Sequence, residues 1–123
     1  MVNSPMTVPF NTKLLDEVLI ERQENCEQER QQVFRQVLAW LHQSGGQYGI
    51  DSAYLFGSVT QLGRFHKGSD VDLGVEEINS VKQIEAIADL SMALLRDVDI
   101  VDLRHCHFAH RIRERGLLWM RDS

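Results

Sequence analysis

The stretch Asp70-Val71-Asp72-Leu73-Gly74-Val75 sets the strongest limit on what this chain can fold into. Side chains alternate across a strand, so its carboxylates fall on one face and Val71, Leu73 and Val75 on the other. Such a strand needs a core beneath one face and solvent or a ligand over the other. Two more short apolar runs are its natural neighbours, SAYLF at Ser52–Phe56, stopped by Gly57, and VDIVDL at residues 98–103. Around them the period is helical. Leu15, Val18, Leu19, Arg22, Cys26, Val33, Val37, Trp40 and Leu41 recur at helix spacing, with Asn11 or Thr12 as N-cap and Gly45-Gly46 as the stop. Residues 21–32 are almost wholly polar, so this helix either projects there or breaks in two. Residues 80–95 form a second helix, with Ser80 as N-cap and Ile84, Ile87, Ala88 and Leu95 toward the core. Residues 107–115 form a basic third helix, closed by Gly116 and continued by LLWM. The order is α-β-turn-β-α-β-α: an α/β domain with a small mixed β-sheet flanked by helices.

Composition narrows the class. The 123 residues are 43% hydrophobic and 25% charged, enough for one domain with a real core and too apolar for disorder. The domain covers residues 11–123, after a loose N-terminus over residues 1–10, where Pro5 and Pro9 oppose regular structure. No apolar run approaches the roughly 20 residues of a membrane span. The first residues lack the pattern of a signal peptide, and Cys26 and Cys106 make no disulfide framework, so a cytoplasmic, reducing location is expected. A net charge of −5 disfavours a global hold on nucleic acid. The charge is uneven: residues 51–103 carry 4 basic and 10 acidic groups, whereas residues 104–123 carry 5 basic and 2 acidic.

The chemistry is concentrated in residues 57–75, GSVTQLGRFHKGSDVDLGV. Asp70 and Asp72 stand about 6–7 Å apart along one strand face. Two anions so placed raise each other's pKa unless a cation sits between them. Oxygen ligands on one rigid strand suit Mg²⁺, which completes its shell with water and phosphate oxygens. A third carboxylate is expected from the neighbouring strand. Asp99, flanked by Val98 and Ile100, is the choice there, because Asp97 lies at the strand's start and Asp102 faces the other way. Gly57-Ser58, between a strand and a turn, brings backbone N–H groups and a hydroxyl to a phosphate. A phosphate cradle facing an acid pair fits phosphoryl or nucleotidyl transfer.

Gly-Ser, a spacer, Asp-x-Asp on the next strand and a third acid on a later one: in this pattern the chain resembles the DNA polymerase β-like nucleotidyltransferase superfamily. Its small size makes it similar to the minimal nucleotidyltransferases in particular. The likeness spans residues 50–118. It implies that Gly57, Ser58 and Ser69 bind the nucleotide, and that Asp70, Asp72 and Asp99 are catalytic and hold two Mg²⁺ ions, with ATP as donor. It also implies the antitoxin half of a toxin–antitoxin pair, whose partner is a HEPN-domain ribonuclease silenced by AMP on a tyrosine. The spacer from Ser58 to Asp70, eleven residues, is one longer than the family's, and the loop before Gly63 is expected to absorb it. A chain this short is expected to have no room for a domain that holds an antibiotic, a tRNA or a primer, and a second macromolecule that supplies the acceptor is the simplest solution.

Plainer readings stand beside these. The three acids could be a solvated surface set, and the protein could be an antitoxin that acts by binding alone, or an enzyme whose acceptor is a small molecule. In RHCHFAH (Arg104 to His110) only His107 and His110 share helical spacing, which argues for exposed histidines over a zinc site. Arg111, Arg113 and Arg115, with Arg104 and Arg121, suit either a phosphate or acidic partner or a solvated basic face. Arg64 and Lys67 suit either the triphosphate or solvent. The polar helix of residues 21–32 suits either a solvated face or docking to a partner, and its length favours docking. Trp40 and Trp119 belong to the core.

Overall fold

The computed structural model describes residues 12–122. The expected loose segment 1–10 and the Asn11 cap lie outside the described residues. The chain runs through α1 (Thr12–Ser44), β1 (Ser52–Phe56), β2 (Val71–Val75), α2 (Gln83–Leu94), β3 (Val98–Asp102), α3 (Ala109–Arg115) and β4 (Leu117–Met120). The strands form one mixed sheet in the order β3-β2-β1-β4. β1 is antiparallel to β2 and to β4, while β2 and β3 are parallel, joined by α2 as the crossover helix.

The alternation in the three predicted strands decides which face is covered. Ala53, Leu55, Val71, Leu73, Val75 and Ile100 are fully or almost fully buried beneath α1 and α2. From α1 come Val33, Val37, Trp40 and Leu41, and from α2 come Ala86, Leu90 and Leu94. Trp40 stacks on Tyr48 at 5.7 Å between ring centroids, and both donate to the Asp89 carboxylate of α2, at 3.2 and 3.1 Å. The opposite face carries Tyr54, Phe56, Asp72, Gly74 and Asp99. Here α3 covers only half, packing Ala109 and Ile112 with Leu103 against Tyr54 and Phe56. The acids lie on the uncovered half.

Of the two readings of the first helix, projection holds, since the helix is unbroken over 33 residues. Its leading half extends past the core, leaving Leu15, Val18 and Leu19 exposed. Several other expectations are corrected. Asn79, not Ser80, caps the turn before α2, its side chain accepting from the Val81 N–H at 3.1 Å. Ile84, Ala88 and Leu95 of the expected core face are exposed, and the face that packs is Ala86, Leu90 and Leu94, with Ile87 half-buried. Leu103 leaves the third strand for a short 3-10 turn, and α3 starts two residues later than expected. LLWM is a strand. Gly116 ends α3 in an extended conformation (φ −76°, ψ 166°), and β4 satisfies the free edge of β1 with Ala53 opposite Trp119. Trp40 is buried, whereas Trp119 is half-buried against the core. Among the described residues no helix is long and apolar enough to cross a membrane.

Gly116 sits where α3, β1 and β4 meet. A Cβ there would stand 2.7 Å from the Ile112 carbonyl oxygen and 3.0 Å from the Tyr54 Cβ. Gly116→Ala is therefore expected to destabilise the fold by about 1–3 kcal/mol, as overpacking against backbone does. Chemical denaturation of the variant checks it, and an unchanged midpoint would show that the α3–β4 corner is looser than drawn.

Candidate functional site

The site is built where β1 ends and β2 begins. Asp72 is the register partner of Asp99 across the parallel β2/β3 pair and of Phe56 across the antiparallel β1/β2 pair. Neighbouring strands lie about 4.8 Å apart, so the Asp72 and Asp99 carboxylates emerge side by side from one face. Asp70 precedes β2 and is exposed. The structure thus gathers the three predicted acids at one corner of the sheet. Burial is the main cause that pushes the Asp72 carboxyl above its ordinary 3.8, and the charges of Asp99 and then Asp70 push it further. Every charge acting on Asp72 there has its own sign. Of the two other acids near the third strand, Asp97 precedes it and is exposed, and buried Asp102 is held by Arg104 at 2.8 Å.

Gly57 faces this acid row. Its φ of 79° lies in the left-handed region, and an added Cβ would stand 2.6 Å from Asp72 Oδ2. Conformation and space both demand glycine. The 3-10 turn Gly57–Thr60 follows, pinned by the Thr60 hydroxyl donating to the Gly57 carbonyl at 2.8 Å. Ser58 lies on this turn, half-exposed beside Gly57. Ser69 sits differently. It is buried, and its hydroxyl accepts from the His66 N–H at 2.9 Å, which commits that oxygen to closing the loop. The loop turns over residues 61–64, with the Arg64 N–H donating to the Gln61 carbonyl at 3.1 Å just where the additional spacer residue was expected. Lys67 borders a groove along α1 with Glu21 and Glu29, away from the Gly57 turn.

Two arginines that sequence reasoning missed bolt this loop to α1 and β3. Arg30 of α1 donates to the Val59 carbonyl at 3.0 Å, and it draws the neighbouring Glu27 carboxyl down to about 2. Arg96, just before β3, donates to the Ser69 carbonyl at 2.8 Å, pairs with Glu29 of α1 at 3.3 Å, and lies over the Phe65 ring. Each end of the loop therefore has a cationic tether. Nothing in local spacing announces either contact, since the partners are 29 and 27 residues away.

Beside the acid corner lies an open cleft of about 340 Å³. Phe56, Gly57, Thr60 and Gln61 form one wall, and Phe108, Arg111 and Arg115 of the α3 side form the other. Its size is at the lower end for small-molecule sites. The carboxylates are a row along the sheet and not a closed cage: among the described residues no three His, Cys, Asp or Glu groups converge as a ready-made metal set. An open row of carboxylates in which, among the described residues, only burial and like charges act on Asp72 has the donor chemistry of a hard divalent ion that keeps waters and phosphate oxygens. The residues present fit Mg²⁺.

A mixed sheet with one face under helices and the other ending in an acid row against a left-handed Gly-Ser turn defines a nucleotidyl-transfer type of site. Family comparison agrees: residues 43–123 match the family described as Polymerase beta, Nucleotidyltransferase, and the chain belongs to it. Over 54 residues it is 43% identical to the protein adenylyltransferase MntA of Shewanella oneidensis. That alignment covers 42% of this chain and 38% of the length of the relative. A crystal structure of a toxin–antitoxin with AMP-PNP superposes with a TM-score of 0.57 at 26% identity, covering 72% of this chain and 73% of the other. The expected fold and family are thereby shown, as is the likeness to antitoxin nucleotidyltransferases.

The raised Asp72 carboxyl fixes the sign of a stability prediction. Its ionised form is disfavoured in the folded state, so it costs nothing below 3.8 and becomes a growing cost as pH rises through the folded pKa. In metal-free buffer Asp72→Asn is expected to melt at the same temperature as the parent near about pH 4 and above it near about pH 7. Thermal melts at both pH values check this. A variant less stable at neutral pH would mean that a partner stabilises the Asp72 charge.

Proposed function

We propose that this protein transfers AMP from ATP to a hydroxyl of a partner protein, a tyrosine of a HEPN-type toxin, and so acts as that toxin's antitoxin. The register of Asp72 with Asp99 opposite the left-handed Gly57 turn carries this reading. Family membership, the likeness to a protein adenylyltransferase, and the likeness to a toxin–antitoxin crystallised with AMP-PNP support it. A cytoplasmic setting agrees with the two free cysteines, Cys26 and Cys106.

Each residue has a distinct task. Asp70, Asp72 and Asp99 would hold two Mg²⁺ ions, which when bound neutralise charge on the attacking and leaving oxygens. Gly57 offers backbone without a side chain to the phosphates, and Ser58 adds its hydroxyl. Ser69, in this reading, acts through the loop conformation that delivers Asp70. The acceptor oxygen forms a bond to the α-phosphorus, the bond to the β-phosphate oxygen breaks, and pyrophosphate departs. Asp99, the outermost acid of the row, takes the acceptor's proton. Half-buried Asp72, squeezed by like charges, gains most from a cation.

A second reading is favoured by one feature, the exposed apolar residues Leu15, Val18 and Leu19 on the leading half of α1. They suit an antitoxin that neutralises by covering its toxin.

The test uses purified protein, its co-purifying partner, Mg²⁺ and each labelled nucleoside triphosphate, followed by intact-mass spectrometry. The partner is expected to gain one or more AMP units. Asp70→Asn or Asp72→Asn should lower the rate by at least roughly 10²–10³-fold, the scale of losing one charge contact to a transition state. Full transfer by a folded Asp72→Asn protein would sink the metal assignment. A tight complex without any mass gain would favour the binding-only reading.

A further inference from the structure

The basic helix at the end of the chain is not uniformly solvated. Arg113 of α3 forms a two-toothed pair with Glu76, with contacts of 2.7 to 3.2 Å. Arg111 and Arg115 flank it in sequence but point elsewhere. Both line the cleft beside Gly57, one helical turn apart, and among the described residues neither has an ion-pair partner. By contrast, Arg30, Arg96, Arg104 and Arg121 are each paired with a carboxylate. Two unpaired guanidiniums thus face, across a concave site, the glycine turn that abuts Asp72.

We propose that Arg111 and Arg115 bind the polyphosphate end of the nucleotide, holding the β- and γ-phosphates and then the departing pyrophosphate. This rests on the nucleotidyltransferase reading and assigns the wall opposite the acids. Guanidinium geometry suits it, since the planar fork donates two parallel hydrogen bonds to phosphate oxygens. So does the division of charge. The acid row repels a triphosphate, and the cleft's positive charge comes from this pair. Terminal phosphates held on the α3 side would leave the rest of the nucleotide toward Gly57 and Asp72. An acidic surface of a partner protein is a worse occupant, because the cleft is concave and shares a wall with the Gly57 backbone.

The test is binding, measured calorimetrically on the full chain with inorganic tripolyphosphate in EDTA and with ATP in Mg²⁺. Each of Arg111→Gln and Arg115→Gln should weaken both ligands about tenfold, and the double variant about a hundredfold, as expected for charge-assisted hydrogen bonds. Arg113→Gln is the control on the same helix and should leave binding unchanged. Arg111→Lys/Arg115→Lys should recover part of the loss. Parent-like tripolyphosphate and ATP binding by the double Gln variant overturns the proposal while leaving the nucleotidyltransferase reading intact. The same holds if that variant loses only its grip on the protein partner, or if Arg113→Gln weakens binding equally. A parent protein that binds neither ligand overturns both.

Discussion

Everything at this site follows from placing Asp72 beside Asp99 on parallel strands with Asp70 close by. Three like charges at a half-buried corner are unfavourable by themselves, and burial pushes the Asp72 carboxyl up before its neighbours add to it. The arrangement persists because other parts of the chain leave it no alternative. Leu73 and Ile100 are pulled into the core on the other face of the same strands, and a slip of one residue would turn them outward. Hydrophobic burial, worth about 1.5–3 kcal/mol for each such side chain, therefore outweighs the carboxylate repulsion that register imposes. The core holds the acids in a state that suits a cation.

The 33-residue α1 makes sense in the same terms. Four of its residues enter the core, all from Val33 onward. Its middle third instead supplies Arg30 and Glu29, which reach the two ends of the loop between Gly57 and Asp70. The helix is a rail along which that loop is fixed. At its far end Arg121 donates to the Leu41, His42 and Ile50 carbonyls, serving acceptors that the helix cannot satisfy internally. The leading third adds nothing to the buried core, and Leu15, Val18 and Leu19 on it are exposed.

How far the sequence could be read depended on period. β2 and β3 were legible because polar and apolar residues alternate there, β1 as a short apolar run stopped by a glycine, and Gly57 because a glycine between a strand and a turn has few other purposes. Asp99 was separable from Asp102 by parity, and from Asp97 by lying inside the strand and not at its start. The face of α2 was not legible. Val81, Ile84, Ile87, Leu90, Met92, Leu94 and Leu95 are apolar nearly all round the helix, so the pattern does not single out a face, and the anchor from Asp89 to Trp40 and Tyr48 selects it. β4 was missed for a related reason: four consecutive apolar residues carry no period, and only the open edge of β1 makes LLWM a strand. Long-range tethers such as Arg96 leave no local mark at all.

That missed strand also decides where the positive charge goes. The chain separates its charges by sequence, acidic over residues 51–103 and basic after residue 104. Had LLWM continued the preceding helix, the basic segment would have had nothing to return it to the sheet. Because β4 pairs with β1, Gly116 must turn sharply against Tyr54 and Leu55, and α3 is laid across the face that bears the acids. Ile112 fixes the rotation of α3 by entering the small core beside Leu103. With that position set, helical spacing leaves Arg111 and Arg115 toward the cleft. Segregated charge in the sequence thus becomes opposed charge on two sides of the Gly57 turn, with Asp72 against the glycine and the two arginines in the cleft beyond it.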